Sequence, residues 1–338
     1  MDNFLSAADV VQAVAEVGFD GIWVGETAHD PFAQAALLGY FARQLGLDVE
    51  VGTGIAVAFA RSPTLLAYSS FDLARLTGGK FILGLGTQVK AHIERRFGMP
   101  WANPNQKLRE TILAIRAIWT AWQSQTPLDF QGDFFKLNLM SPFFTPPPLD
   151  PQIRIPIYIA AVNDQNCVLG GELCEGIHVH PLHTINHIKE YVLPPVERGL
   201  ELAHRSRADL QLVSSIFIVS GKDDRAIDRE ARAVKTQIAF YASTPTYRKV
   251  FASQGYEDVA LQLSQLVRQQ RWNEIHALIT DDMLSEFAVV GRPEEIPGKV
   301  REKYAGVLDR VAPYLPLNPG KKQDIDFFRA LHDELTTA

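Results

Sequence analysis

Short, almost uninterrupted apolar runs recur along this chain, and longer stretches whose apolar residues return at helical spacing separate them. Strands buried on both faces need continuous rather than alternating apolar runs, and strands joined through helices pair in parallel by right-handed crossovers. The runs fall at 21–25 (GIWVG), 49–57, 81–86 (FILGLG), 155–161 (IPIYIAA), 176–180, 210–220 (LQLVSSIFIVS) and 308–312. Helical patterns cover 7–17, 32–45, 63–76, 106–122, 162–174, 187–204, 225–241, 293–304 and 325–335. Ser62 before Pro63, and Pro293 with Glu294 and Glu295, are the residues that helix starts favour.

With residues 1–5 as a short first strand, this set closes an α/β (β/α)8 TIM barrel. The 338 residues fit one such domain over 1–338, with insertions at about 125–152, after strand 4, and 244–283, between strands 7 and 8. The first insertion holds a hairpin-like Gln131-Gly132-Asp133 turn and a Pro146-Pro147-Pro148 run, and is expected to form a lid.

Composition narrows the function classes. A net charge of −6 without any Lys/Arg run argues against nucleic-acid binding. Cys167 and Cys174 make neither a disulfide framework nor a zinc spacing, so a reducing, cytoplasmic location is expected. No secretory leader is expected from an N-terminus carrying Asp2 and Asp9, and apolar runs such as 55–60 fall far short of the ~20 residues that span a bilayer.

In a barrel, chemistry collects where strands run into helices. The second strand ends in Glu26-Thr27-Ala28-His29-Asp30, the third in Val57-Ala58-Phe59-Ala60-Arg61, and the fourth is followed by Thr87-Gln88 and His92. Ala160, Ala161, Val162 and Asn163 close the fifth, and His178, His180 and His183 flank the end of the sixth. Glu26 reads either as a functional acid or as the partner of a nearby base, and Asp30-Pro31 as a helix start. The histidine group lacks an acidic partner in sequence, and no metal is expected. Gly84-Leu85-Gly86-Thr87-Gln88 fails the dinucleotide fingerprint, and neither a Walker lysine motif nor a G-x-S-x-G elbow is present. A barrel mouth without an evident nucleophile points to a cofactor that carries the reaction.

Gly18-Phe19-Asp20-Gly21-Ile22-Trp23-Val24, Val51-Gly52-Thr53-Gly54-Ile55-Ala56, the run from Leu76 through Gly86-Thr87, Gly170-Gly171-Glu172, and Val290-Gly291-Arg292-Pro293-Glu294-Glu295 together resemble the bacterial luciferase-like superfamily. The resemblance runs over roughly 18–312 and is greatest to its coenzyme F420-dependent oxidoreductases. It implies a flavin-type ring across the C-terminal mouth, a small-molecule substrate, a homodimer, and a non-proline cis peptide at Val57-Ala58. It also implies that Glu26, Thr27, Val57, Ala58, Thr87 and Gln88 lie by the ring. By the same likeness Ala160, Ala161 and Val162 hold the cofactor phosphate through backbone amides, and His178 and His180 stand nearby. Glu26, His29 and His92 are the expected proton carriers. Thr27 replaces the family's histidine, Gln88 a glycine and Val89 an acid, so sugar-phosphate oxidation is not expected.

The leading expectation is hydride transfer between F420 and a small organic molecule, with FMN-dependent oxygenation as the alternative. A basic groove at Arg61, Lys90 and Arg95 would favour F420, whose tail is anionic. Two further readings are a non-catalytic flavin-binding protein and a cofactor-free lyase. The lyase needs a strand lysine, and none of the runs contains one.

Overall fold

The computed structural model describes residues 6–337. By its contacts the chain divides into two units: one runs up to Ala160 and includes Leu169–Gly176, the other holds Ala161–Val168 and the chain from Ile177 onward. The first unit contains α1 (Ala7–Val17), β1 (Gly21–Val24), α2 (Pro31–Gln44), β2 (Glu50–Thr53), β3 (Ala56–Val57), α3 (Pro63–Leu76), β4 (Phe81–Gly86), α4 (Lys90–Arg95) and α5 (Pro104–Ser124). A hairpin of β5 (Phe130–Gln131) and β6 (Lys136–Leu137) and then β7 (Ile157–Ala161) follow. The helix starts obey the expected chemistry. Asp30 accepts the N–H groups of Phe32 and Ala33 ahead of α2, and Ser62 accepts that of Leu65 ahead of α3. Strands pair in parallel in the order β1–β2–β4–β7, and every residue of β4 is buried, as its unbroken apolar run requires.

The second unit contains β8 (Gly176–Val179), α7 (Ile185–His187), α8 (Leu193–Leu202), β9 (Gln211–Ser220) and α9 (Asp224–Ala242). It continues through α10 (Arg248–Ala252), α11 (Glu257–Arg268), α12 (Asp281–Phe287), β10 (Ala288–Gly291), α13 (Ile296–Tyr304), β11 (Arg310–Pro313) and α14 (Lys322–Thr336). The helix between α5 and α7, α6 (Asp164–Leu173), passes from this unit into the first. β9 serves two partners in succession: Val213–Ile216 pair with β11 and Phe217–Ser220 with β10. The inserted helices build their own core around Phe251 and Phe287, whose rings stack at 5.0 Å, together with Ile238, Leu263 and Ile275. Lys303 stitches α12 to α13 by donating to the carbonyls of Ser285, Glu286 and Ala288. Among the described residues no helix is long and apolar enough to cross a membrane.

Two sequence expectations change: the run 49–57 is two strands, not one, and β10 is an added strand. The expected first strand, 1–5, lies outside the described residues. The segment after α5 doubles back along that helix. Gln123, near the end of α5, exchanges two hydrogen bonds with Leu149, and Ile153 lies against Gly79 just before β4, while the hairpin returns to Gln106 and Glu110 in the first turns of α5.

The hairpin in this segment hangs on Glu110. Its buried carboxylate accepts N–H bonds from Asp133, Phe134 and Phe135 at 2.6–2.9 Å, and it lies so close to Gly132 that no Cβ fits there. Glu110→Ala leaves those donors unpaired and should cost roughly 1–3 kcal/mol in urea unfolding. An unchanged midpoint would remove this role.

Candidate functional site

In the first unit, the ends of β1, β3 and β4 bring a set of polar groups together. Glu26 follows β1, and its backbone N–H donates to the Ile55 carbonyl. Its side chain is 6% exposed, and Oε2 accepts both the Val57 N–H and the Arg61 guanidinium at 2.7 Å. Arg61 turns its other terminal nitrogen to Asp30 at 2.7 Å and lies over the Phe32 ring. Burial works against the Arg61 charge, yet Glu26 and Asp30 more than offset it and hold its pKa above the usual value. Burial likewise opposes ionisation of Asp30, but the Ala33 N–H and Arg61 together draw its carboxyl below the usual range. Glu26 forms the ion pair that was one of its two readings, and Oε2 alone makes these bonds.

Around this network, the Ile55 side chain crosses Gly86 so closely that a Cβ at 86 would sit 2.6 Å from it, with Ala160 beside them. The non-proline cis peptide is Gly54–Ile55, three positions before the expected Val57–Ala58. The sequence reading missed it by treating β2 and β3 as one strand, whereas the break falls between Thr53 and Ala56. Val57 and Ala58 are buried, and Ala58 opens a short 3-10 turn. Gln88 adopts φ +60°, the left-handed region that favours the glycine it replaces, and its side chain accepts the Val89 N–H. Thr87 Oγ1 donates to the Gln88 carbonyl, and Arg96 ties down the Thr27 carbonyl at 2.5 Å. His29 is half-buried in the loop before Asp30, and His92 is exposed on α4. Of the expected basic groove, Arg61 is committed to Glu26 and Asp30 and Lys90 faces Glu94 at 3.8 Å, while Arg95 on α4 faces no carboxylate among the described residues.

In the second unit, a cavity of about 140 Å³ is lined by Ala161, Val162, Asn163, His180, His183, His187, Tyr191, Arg198, Tyr247 and Lys249 among others. Asn163 Oδ1 accepts the Asn166 N–H and so opens the helix Asp164–Leu173, while Arg198 pairs with Asp164 at 2.6 Å. His180 Nδ1 accepts the Leu182 N–H, which places its proton on Nε2; the ring stacks on Tyr247 at 4.1 Å and meets the edge of Tyr241. His183 Nδ1 donates to the His180 carbonyl at 2.9 Å, and its buried Nε2 has no partner among the described residues. His187 stacks on Tyr191.

All three imidazoles are neutral at pH 7. Burial pushes His180 down to about 3, with His183 adding to the effect. It pushes His183 to about 4, with Lys303 and His187 adding, and His187 to about 4, with Lys249 adding. His178, on β8, does not line this cavity. The described residues hold no cluster of three His, Cys, Asp or Glu side chains that could bind a metal ion. Of the residues the sequence singled out, His180, Ala161 and Val162 line this cavity and Ala160 does not, while Arg198 and Lys249 were not singled out because isolated helical cations carry no motif.

The histidines set a pH dependence. Their folded pKa values lie below the unfolded value of about 6.5, so the unfolded chain binds more protons as pH falls. Stability is therefore full above about pH 6.5 and is lost toward pH 4, by at most ~1.4 kcal/mol per pH unit for each group. Urea unfolding at pH 7 and pH 5 should show the loss, and His183→Gln should flatten the slope. A slope unchanged in that variant would contradict it.

A 41% identical relative is an uncharacterized protein of Mycobacterium tuberculosis (strain ATCC 25618 / H37Rv), aligned over 307 residues, 91% of this chain and 89% of that one. A 5,10-methylenetetrahydromethanopterin reductase of Archaeoglobus fulgidus is 24% identical, over 93% of this chain and 91% of its own. The solved coenzyme F420-dependent tetrahydromethanopterin reductase of Methanopyrus kandleri superposes with a TM-score of 0.77 at 20% identity, covering 97% of this chain and 94% of its own. That likeness bears out the expected luciferase-like α/β barrel fold. A family model described as luciferase-like monooxygenase matches residues 2–310, and the chain belongs to that family of enzymes.

Proposed function

We propose that this enzyme is an F420-dependent oxidoreductase that moves a hydride between the deazaflavin and a small organic substrate. The observation that carries the reading is the donor set of the second unit's cavity. The opening of the helix Asp164–Leu173 presents N–H groups, and Lys249 and the Nε2–H of His180 add a cationic and a neutral donor, while Arg198 is paired with Asp164 and Glu190 also lines the cavity. That chemistry suits a phosphate. Val162 and Asn163 would supply the backbone amides, with Ala160 and Ala161 just before them on β7. When bound, the deazaflavin supplies the two-electron hydride chemistry.

The chain's own residues orient groups and handle protons. In the first unit, Oε2 of Glu26 is spent on Val57 and Arg61, so Oε1 is the oxygen left to accept a hydrogen bond from a ligand. Arg61 and Asp30 hold that carboxylate in one position. Gly86 keeps the strand end clear where a Cβ would strike Ile55. Thr27, Thr87 and Gln88 present polar groups from the adjoining loops, and His29 and His92 are the further proton-carrier candidates. The likeness to the solved coenzyme F420-dependent tetrahydromethanopterin reductase supports the same reading.

One observation favours an FMN-dependent monooxygenase as the second reading. Arg61 and Lys90 are engaged by carboxylates, so of the three expected groove cations only Arg95 faces none among the described residues, a sparse charge for an anionic cofactor tail.

Titrating the purified protein with F420 and with FMN, followed by fluorescence, separates the two. F420 should bind at least about tenfold more tightly, a difference of ~1.4 kcal/mol. FMN binding more tightly would favour the monooxygenase, and binding of neither would remove both. Lys249→Gln should weaken cofactor binding about tenfold. Glu26→Gln should lower kcat with the cofactor still bound; unchanged turnover would remove Glu26 from the chemistry.

A further inference from the structure

The first unit holds a second cavity, at the end of its strands opposite to Glu26. It encloses about 640 Å³, within the range of small-molecule sites, and is lined by Arg43, Arg75, Lys80 and Arg154 together with Glu50 and Asp150. Lys80 is claimed by Asp48 at 2.7 Å. The three arginines face no carboxylate within ion-pair distance among the described residues. Each is held instead by main-chain carbonyls: Arg43 by those of Arg75 and Leu76, Arg75 by that of Pro147, and Arg154 by those of Pro151 and Ile153. These bonds use one terminal nitrogen of each guanidinium. The remaining N–H groups are left for a ligand, and the carbonyl anchors have already fixed each fork in place.

With Lys80 paired, the three free guanidinium groups stand against Glu50 and Asp150, and a ligand with anionic oxygens would complete their hydrogen bonds. Planar guanidinium forks match phosphate oxygens. The volume exceeds what a bare phosphate fills. From this we propose that the cavity binds a phosphate monoester of a small organic molecule, at a site separate from the one that carries the redox chemistry.

The test is calorimetric titration of the full chain with glycerol 3-phosphate and, in parallel, with inorganic phosphate. Glycerol 3-phosphate should bind saturably, more tightly than inorganic phosphate, and more weakly as salt rises from about 50 mM to about 500 mM. Arg154→Gln, which touches only carbonyls of its own turn, should weaken binding at least about tenfold while its urea midpoint stays at the wild-type value. Lys249→Gln, in the second unit's cavity, should leave the affinity unchanged. Absence of saturable binding would overturn the proposal. So would loss of binding in Lys249→Gln with Arg154→Gln unaffected, or equal affinity for inorganic phosphate.

Discussion

Much of the first unit's functional edge rests on one carboxylate oxygen. Oε2 of Glu26 takes the Val57 N–H and the Arg61 guanidinium, so the end of β1, the short β3 and the start of α3 are held through a single nearly buried atom. Arg61 extends the network to Asp30, which in turn caps α2. Removing one partner of the Glu26–Arg61 pair strands the other charge, whereas Asp30, at the exposed end of the network, is the least costly to replace. The arrangement sets where the second oxygen of Glu26 points and keeps the guanidinium charged.

The second unit uses the opposite device. Its histidines are kept neutral by burial, not charged by partners, and tyrosine rings cover two of them. Neutral imidazole leaves the positive charge at the cavity to Lys249 and Arg198, on exposed helices, where an anion can exchange with water. Charged groups at the rim and neutral donors deeper in suit a ligand that inserts its phosphate reversibly.

The architecture was legible because most strand runs are continuous and starts such as Asp30-Pro31 and Ser62-Pro63 carry their own caps, both local properties. Gln88 was legible as a departure from glycine, and its left-handed backbone is the physical content of that departure. Local pattern missed what depends on distance. Glu26 and Arg61 stand 35 residues apart, and either could have paired elsewhere. The cations of the second cavity come from two separate helices. β10 escaped because its four residues run on from the apolar end of α12. The hairpin of the first insertion was legible in its Gln131-Gly132-Asp133 turn, but its anchor on Glu110, more than twenty residues earlier, was not. Of the candidate site, then, the strand-end positions were readable, and the partners that give them their geometry were not.

The central claim is that this family member holds a phosphate-bearing redox cofactor by its main chain at the start of the helix Asp164–Leu173. A crystal structure of the protein grown with F420 addresses it most directly. The account predicts phosphate density within hydrogen-bond distance of the Val162 or Asn163 amides and of Lys249. Phosphate density at any other position, with that cavity holding only water, would contradict it.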